Sequence, residues 1–332
     1  MSGSITIHSP GILSLIQDLG RAHMLPYAVP TCGAMDVFAH IAANTLVGND
    51  PTSASIEITG GGATIEFKTE TLFAITGADF APTLNGRRLQ NWLAIFARRG
   101  DVLTLSGRQG AWGARAYLTC AGGFDVPKVL DSHSTYLPGK FGGYFGRALQ
   151  SGDDVAIKNT RADVLRWAGR SWAKHQMPAY GQPNCRVRIV PGPHDNEFKP
   201  QALTDLVRHP IRVTSTSNRM GYRFSGCSAL NYAKPISLPS LGVVPGVIQV
   251  PPDGSPILLT ADAQTTGGYP LIAVVIQADL PLVGQCLPGD DIWFEWTTMT
   301  QAIAAWQTFL HWVAMGCEEG DDIATIAWRG AV

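Results

Sequence analysis

Apolar residues along the chain fall mostly into runs of four to six, β-branched or aromatic, bounded by Gly, Pro or Asp. Runs of this kind predict strands at 4–8, 54–59, 63–68, 71–76, 102–106, 116–120 and 155–158. The second half repeats the pattern at 187–190, 212–215, 247–250, 257–260, 272–276 and 292–296. Gly100-Asp101, Gly152-Asp153 and Gly289-Asp290 each precede such a run, with Gly supplying unusual dihedrals and Asp bonding the turn backbone. A helical period is confined to 37–46, to a stretch near 201–208 and to 300–315, where Ile303, Trp306, Leu310 and Val313 share a face. The expected fold class is therefore mainly β (α+β), a barrel or sandwich pattern with few helices and a C-terminal helix. The expected organisation is a first lobe at 1–160, a connection at 161–184, a second lobe at 185–297 and a helical tail at 298–332. The connection is marked by Trp167, Trp172, Pro178 and Pro183 in no period.

Composition narrows the function. Of 332 residues, 45% are hydrophobic, enough for a large core, and 15% are charged, against roughly 25% in an ordinary domain. A surface so poor in ions predicts that another subunit covers part of it. Net charge is −1 and the basic residues are scattered, which excludes a nucleic-acid footprint. The six cysteines show no Cys-x-x-Cys and no zinc spacing, and the start lacks a secretory pattern, so the expected location is cytoplasmic, with no metal site. The uncharged stretch 296–317 carries seven Thr, Gln or His residues, too polar for a membrane span.

No nucleotide loop of the G-x-x-x-x-G-K-[ST] type occurs, and none of the seven lysines has the Met neighbour of a biotinyl site. What stands out is the polar stretch Asp262, Ala263, Gln264, Thr265, Thr266, Gly267, Gly268 and Tyr269 between two apolar runs. Backbone N–H groups around Gly267–Gly268 suit an anion nest, and the Thr hydroxyls suit a carbonyl or phosphoryl oxygen. A self-bonded loop pinning two strands is the other reading. Arg219 and Arg223 flank Tyr222, and guanidinium forks fit carboxylate or phosphate or cap a loop carboxylate. Asp36 stands where it would cap the helix 37–46, or serve a site.

The segments GILSLIQDLGR, TCGAMD, ANTLVGND, CAGGFDVP, STYLPG, GRALQSGD, STSNRMGYRFSG, VVPGVIQVPPDGSPILL and DAQTTGGYP, in order over 4–295, resemble the biotin-dependent carboxyltransferase / allophanate hydrolase subunit 2 family. Within it, Asn218 and Ala263 are most similar to the branch that supplies the C subunit of the prokaryotic 5-oxoprolinase, where many carboxyltransferase members carry Asp and a basic residue. The resemblance implies two cyclophilin-like β-barrel lobes and two companions, subunits A and B of the 5-oxoprolinase complex. It also implies ATP-dependent opening of 5-oxo-L-proline to L-glutamate. ATP, with Mg, is bound here or by a partner subunit, and no biotin is attached to this chain.

Opening a lactam by phosphorylating its amide oxygen asks for donors around phosphoryl oxygens, a carboxylate that orients water and groups that hold the substrate. Arg219 and Gly267–Gly268 fit the first need, Asp262 the second, and Gln249, Gln264 and Thr265 the third. Thr266 completes the catalytic set, with Tyr222, Tyr269 and Asp36 as further binding candidates. The alternatives are a carboxyltransferase component of a urea or amide carboxylase and a non-enzymatic partner of a kinase-inhibitor protein.

Overall fold

The computed structural model describes residues 3–110, 112–158, 164–180 and 185–315. Expectations for 159–163, 181–184 and 316–332, including Cys317, lie outside these. The chain is mainly β, about 20% helix and 33% strand.

The first half builds two sheets. One runs Asp154–Ile157, Gly3–Pro10, Ala63–Phe67, Val102–Leu105, Thr83–Leu84 and Arg87–Arg88; the other runs Leu13–Gln17, Ser55–Thr59, Arg115–Cys120, Thr71–Gly77 and Leu93–Ala97. In Ala63–Phe67, residues Ala63, Ile65 and Phe67 are buried and alternate with half-buried Thr64 and Glu66, as a pleated strand with one face on a core requires. Ile5, Ile7, Ile56, Ile58, Phe67 and Phe73 belong to that core.

The second half closes into a barrel in the order Cys185–Pro191, Leu271–Val275, Val247–Gln249, Ile257–Leu259, Gly221–Ser225, Ile211–Val213 and Asp291–Trp296. Closure comes from the parallel pairing of Cys185–Pro191 with Asp291–Trp296, which leaves the barrel sheet without an open edge. Val187, Ile189, Ile248, Leu258, Ile272 and Phe294 fill its interior.

Four α-helices accompany the sheets among the described residues: α1 (Val37–Leu46), α2 (Pro200–Arg208), α3 (Leu280–Gly284) and α4 (Met299–Met315). All of α1 after Val37 is buried, because it lies between the lobes. At Gly284 of α3 a Cβ would stand 2.3 Å from the carbonyl oxygen of Met35, so a side chain there would hold the lobes apart. The helix α4 packs on both lobes and not on the second alone: Phe309 and Val313 join Phe38 and Ile41 of α1 as well as Val190 and Ile276. The expected face is corrected in one place. Ile303 is 53% exposed, and Phe309, stacked on Trp306, is buried in its stead. Residues of the connection also pack inward, with Trp172 edge-on to Phe38 at 5.5 Å. Among the described residues, no helix is long and apolar enough to cross a membrane.

Candidate functional site at the interlobe seam

Two strands of the first lobe bring ionised side chains to the seam. Ser55–Thr59 has pairing partners on both sides, and Glu57 in its middle is fully buried. Its Oε2 accepts from Met35 N at 2.9 Å and from the Tyr117 hydroxyl at 2.7 Å. Its Oε1 accepts from Arg219 of the second lobe, and Arg115 Nε stands 3.6 Å away. Burial pushes this carboxyl up, but Arg219 and Arg115 outweigh it and hold the group below its usual range.

Arg219 is 5% exposed and tightly engaged. Its Nε and Nη2 clamp Asp262 with two bonds of 2.9 Å, and Nη2 also donates to Gly33 O at 2.6 Å. A bidentate fork on a carboxylate is the strong form of this pair. Burial raises the Asp262 carboxyl, and Arg219 opposes the rise. Arg219 thus serves an internal carboxylate on each lobe, and the reading of it as a loop-carboxylate partner is the one the geometry shows.

Asp36 caps α1, accepting from Ala39 N at 2.9 Å. It is also a junction. Tyr180 of the connection donates to it at 2.8 Å and Gln285 of the second lobe at 2.7 Å. Burial pushes its carboxyl up to about 6. Tyr222 lies in the same network: its hydroxyl accepts from Arg115 at 3.0 Å and donates to Cys286 O at 3.1 Å.

The remaining candidates gather on the 262–269 loop. Gln264 Nε2 donates to Gln249 Oε1 at 3.0 Å, which fixes the Gln249 amide. Gln249 is 2% exposed, and its own Nε2 has no partner. That nitrogen lies against Gly267, where a Cβ would meet it at 2.3 Å. Gly267 and Thr266 form a short ladder with Leu241–Gly242, and neither Gly267 nor Gly268 takes a positive φ. The Thr265 carbonyl accepts from Val243 N at 2.9 Å. Thr266, Gly268 and Tyr269 face solvent.

The structure therefore divides the candidates in two. Asp36, Arg219, Tyr222 and Asp262 lie in the buried seam, while Gln249, Gln264, Thr265 and the Gly pair line the loop of the second lobe. Sequence reasoning missed Glu57, Arg115, Tyr117, Tyr180 and Gln285, which complete the seam. A lone acid between Ile56 and Ile58 was the available signal for Glu57.

Comparison with known proteins identifies the family of the chain. The family model of the carboxyltransferase domain, subdomain A and B, matches residues 27–296. The chain is 39% identical to the 5-oxoprolinase C subunit of Escherichia coli over 90% of this chain and 92% of that protein. It is 36% identical to the protein of the same name from Haemophilus influenzae, over 86% of this chain and 89% of that one. Among solved structures, the K. lactis urea amidolyase superposes with a TM-score of 0.85 at 30% identity; 96% of this chain is matched, but it spans only 20% of that one. The chain belongs to the carboxyltransferase domain, subdomain A and B, family.

Proposed function

We propose that this chain is the C subunit of an ATP-dependent 5-oxoprolinase, opening 5-oxo-L-proline to L-glutamate together with subunits A and B. The observation that carries the reading is the end-to-end match with proteins of that name, covering 92% of the E. coli protein. The site agrees with it. Ala263 is buried in an apolar cluster with Val243, Val247, Leu259 and Leu271, and Asn218 caps its own loop by accepting from Met220 N at 2.8 Å. These positions therefore offer no charged pair of the kind many carboxyltransferase members carry.

The two phosphate-binding candidates of this chain, Arg219 and the Gly267–Gly268 backbone, do not suit a nucleoside triphosphate. Arg219 is committed to two carboxylates, and Gly267–Gly268 lacks the alternating backbone of an anion nest. We therefore place ATP and its Mg on a partner subunit, and give this chain the amide-binding loop. In this role the Gln249 donor and Gln264 hold the substrate carbonyl, with Thr265 and Thr266 beside them. Tyr269 at the solvent-facing end then closes over the ligand.

A second reading, the carboxyltransferase component of a urea-type carboxylase, is favoured by the superposition on the urea amidolyase. Deletion of the gene separates the two. Loss of growth on 5-oxo-L-proline as sole nitrogen source, restored by this chain, is the expected result. Unaltered growth on 5-oxo-L-proline with loss of growth on urea would overturn the first reading in favour of the second.

A further inference from the structure

Three arginines are buried at or beside the seam, and two are matched by carboxylates: Arg219 by Asp262 and Glu57, and Arg115 by Glu57. Arg21 is the third. It is fully buried, and among the described residues no carboxylate stands within ion-pair distance of it. Its Nη2 donates to Ser134 O and its Nε to Val129 O at a long 3.4 Å, while Nη1 has no partner. The acid nearest in sequence, Asp18, accepts instead from Gly20 N, Ser132, His133 N and Ser134. An isolated buried cation is unfavourable unless something neutralises it.

The surroundings of Arg21 lead to the seam. Its backbone N–H donates to Thr31 O at 2.8 Å, bringing Cys32 alongside; the Arg21 side chain hydrogen-bonds the Cys32 thiol, which also senses Asp262 and Arg219. Burial and Asp262 keep that thiol neutral, so it supplies no counter-charge. The guanidinium is roofed by Phe141, 5.1 Å from the ring centroid. Phe141 belongs to a hairpin closed by a single bridge to Tyr136, with exposed residues 138–140 at its tip. Tyr136 and Phe141 exchange both backbone bonds, at 2.9 and 3.4 Å, so opening this roof means moving the Phe141 side chain rather than unpairing a strand.

We propose that the Nη1 edge of Arg21 anchors the carboxylate of a small ligand that enters the seam beside Cys32 and Tyr136 by displacing the Phe141 ring. One unpartnered nitrogen on one unmatched cation fits a single negative charge; a phosphate dianion would remain half neutralised. The subsite rests on the geometry of Arg21 alone. Its assignment to the carboxylate of 5-oxo-L-proline rests on the function proposed above.

The test is a titration of the full chain, following the ¹⁵N guanidinium resonance of Arg21, with acetate, 5-oxo-L-proline and inorganic phosphate. Saturable shifts with acetate and with 5-oxo-L-proline are expected, and affinity at least tenfold weaker in Arg21→Lys. A saturable shift with acetate but none with 5-oxo-L-proline would keep the subsite and overturn its assignment to that substrate. No shift with either carboxylate, or a shift with phosphate alone, would overturn the subsite. The titration of the unaltered chain needs no variant, so it decides the matter even where Arg21→Lys misfolds.

Discussion

Arg219 of the second lobe and Glu57 of the first form an ion pair across the seam, with side chains 6% and 0% exposed. The pair ties a strand of the first sheet system to the loop that precedes Gly221–Ser225 in the barrel. Removing one partner of a buried pair leaves the other charge uncompensated, which costs about 3–5 kcal/mol. Glu57→Gln is expected to destabilise the chain by about that amount, because it strands Arg115 and takes from Arg219 one of its two carboxylates. Denaturant unfolding measures it. A loss of less than about 1 kcal/mol would show that the seam does not depend on this pair.

Asp36 makes stability depend on pH in an unusual direction. Its carboxyl is raised to about 6 in the folded chain against an ordinary value of 3.8, so the folded state binds the proton more tightly than the unfolded state does. The associated stability is fully present below pH 3.8 and is lost as pH rises through about 6. Asp36→Asn removes this dependence, although it keeps a capping oxygen. The stability advantage of the native chain over Asp36→Asn is expected to grow between pH 7 and pH 4, by up to about 3 kcal/mol. An advantage that shrinks over that interval would contradict the assignment. Unfolding curves of both proteins at matched pH supply the comparison, which cancels the opposite contribution of Glu57 common to both.

The Gln249 amide separates a binding loop from a scaffold. Its Nε2 is buried and unpartnered, so Gln249→Leu removes an unsatisfied group and is expected to change stability by no more than about 1 kcal/mol. Turnover of the reconstituted complex is expected to fall about 10²–10³-fold, the usual effect of losing a donor to developing charge. Gln264→Ala, which frees the Gln249 amide to rotate, and Thr265→Ala should lower turnover in the same direction. Normal turnover with a lowered thermal midpoint would make the loop a strand connector. Gel filtration of each variant with its partners guards against lost assembly.

The strands were legible because β-branched runs between turn residues depend on local chemistry. Thirteen of them appear where the pattern places them, and α1 spans the expected 37–46. Seven of the twenty described strands escaped, among them Leu13–Gln17, Leu93–Ala97 and Gly221–Ser225; Ser14 and Arg223 break the apolar pattern of the first and last, and pairing with neighbouring strands defines all three. The site was legible as residue types and not as partnerships. Asp36, Arg219 and Asp262 stood out, but Glu57 lies 162 residues from Arg219 and reads as the outward position of an alternating strand. Only the flanking strands on both of its sides, together with the second lobe, bury it. Arg21 ends the segment GILSLIQDLGR, and only the fold, which buries it away from every carboxylate among the described residues, leaves it without a counter-charge.

The proposed activity, ATP-dependent lactam opening with two companions, can be assayed directly. The most direct measurement is L-glutamate released from 5-oxo-L-proline and ATP by the purified chain, by candidate subunits A and B, and by all three together. The account predicts release from the three together, and little or none when this chain, ATP or either companion is left out. Equal release without this chain, or full release by this chain and ATP alone, would contradict it.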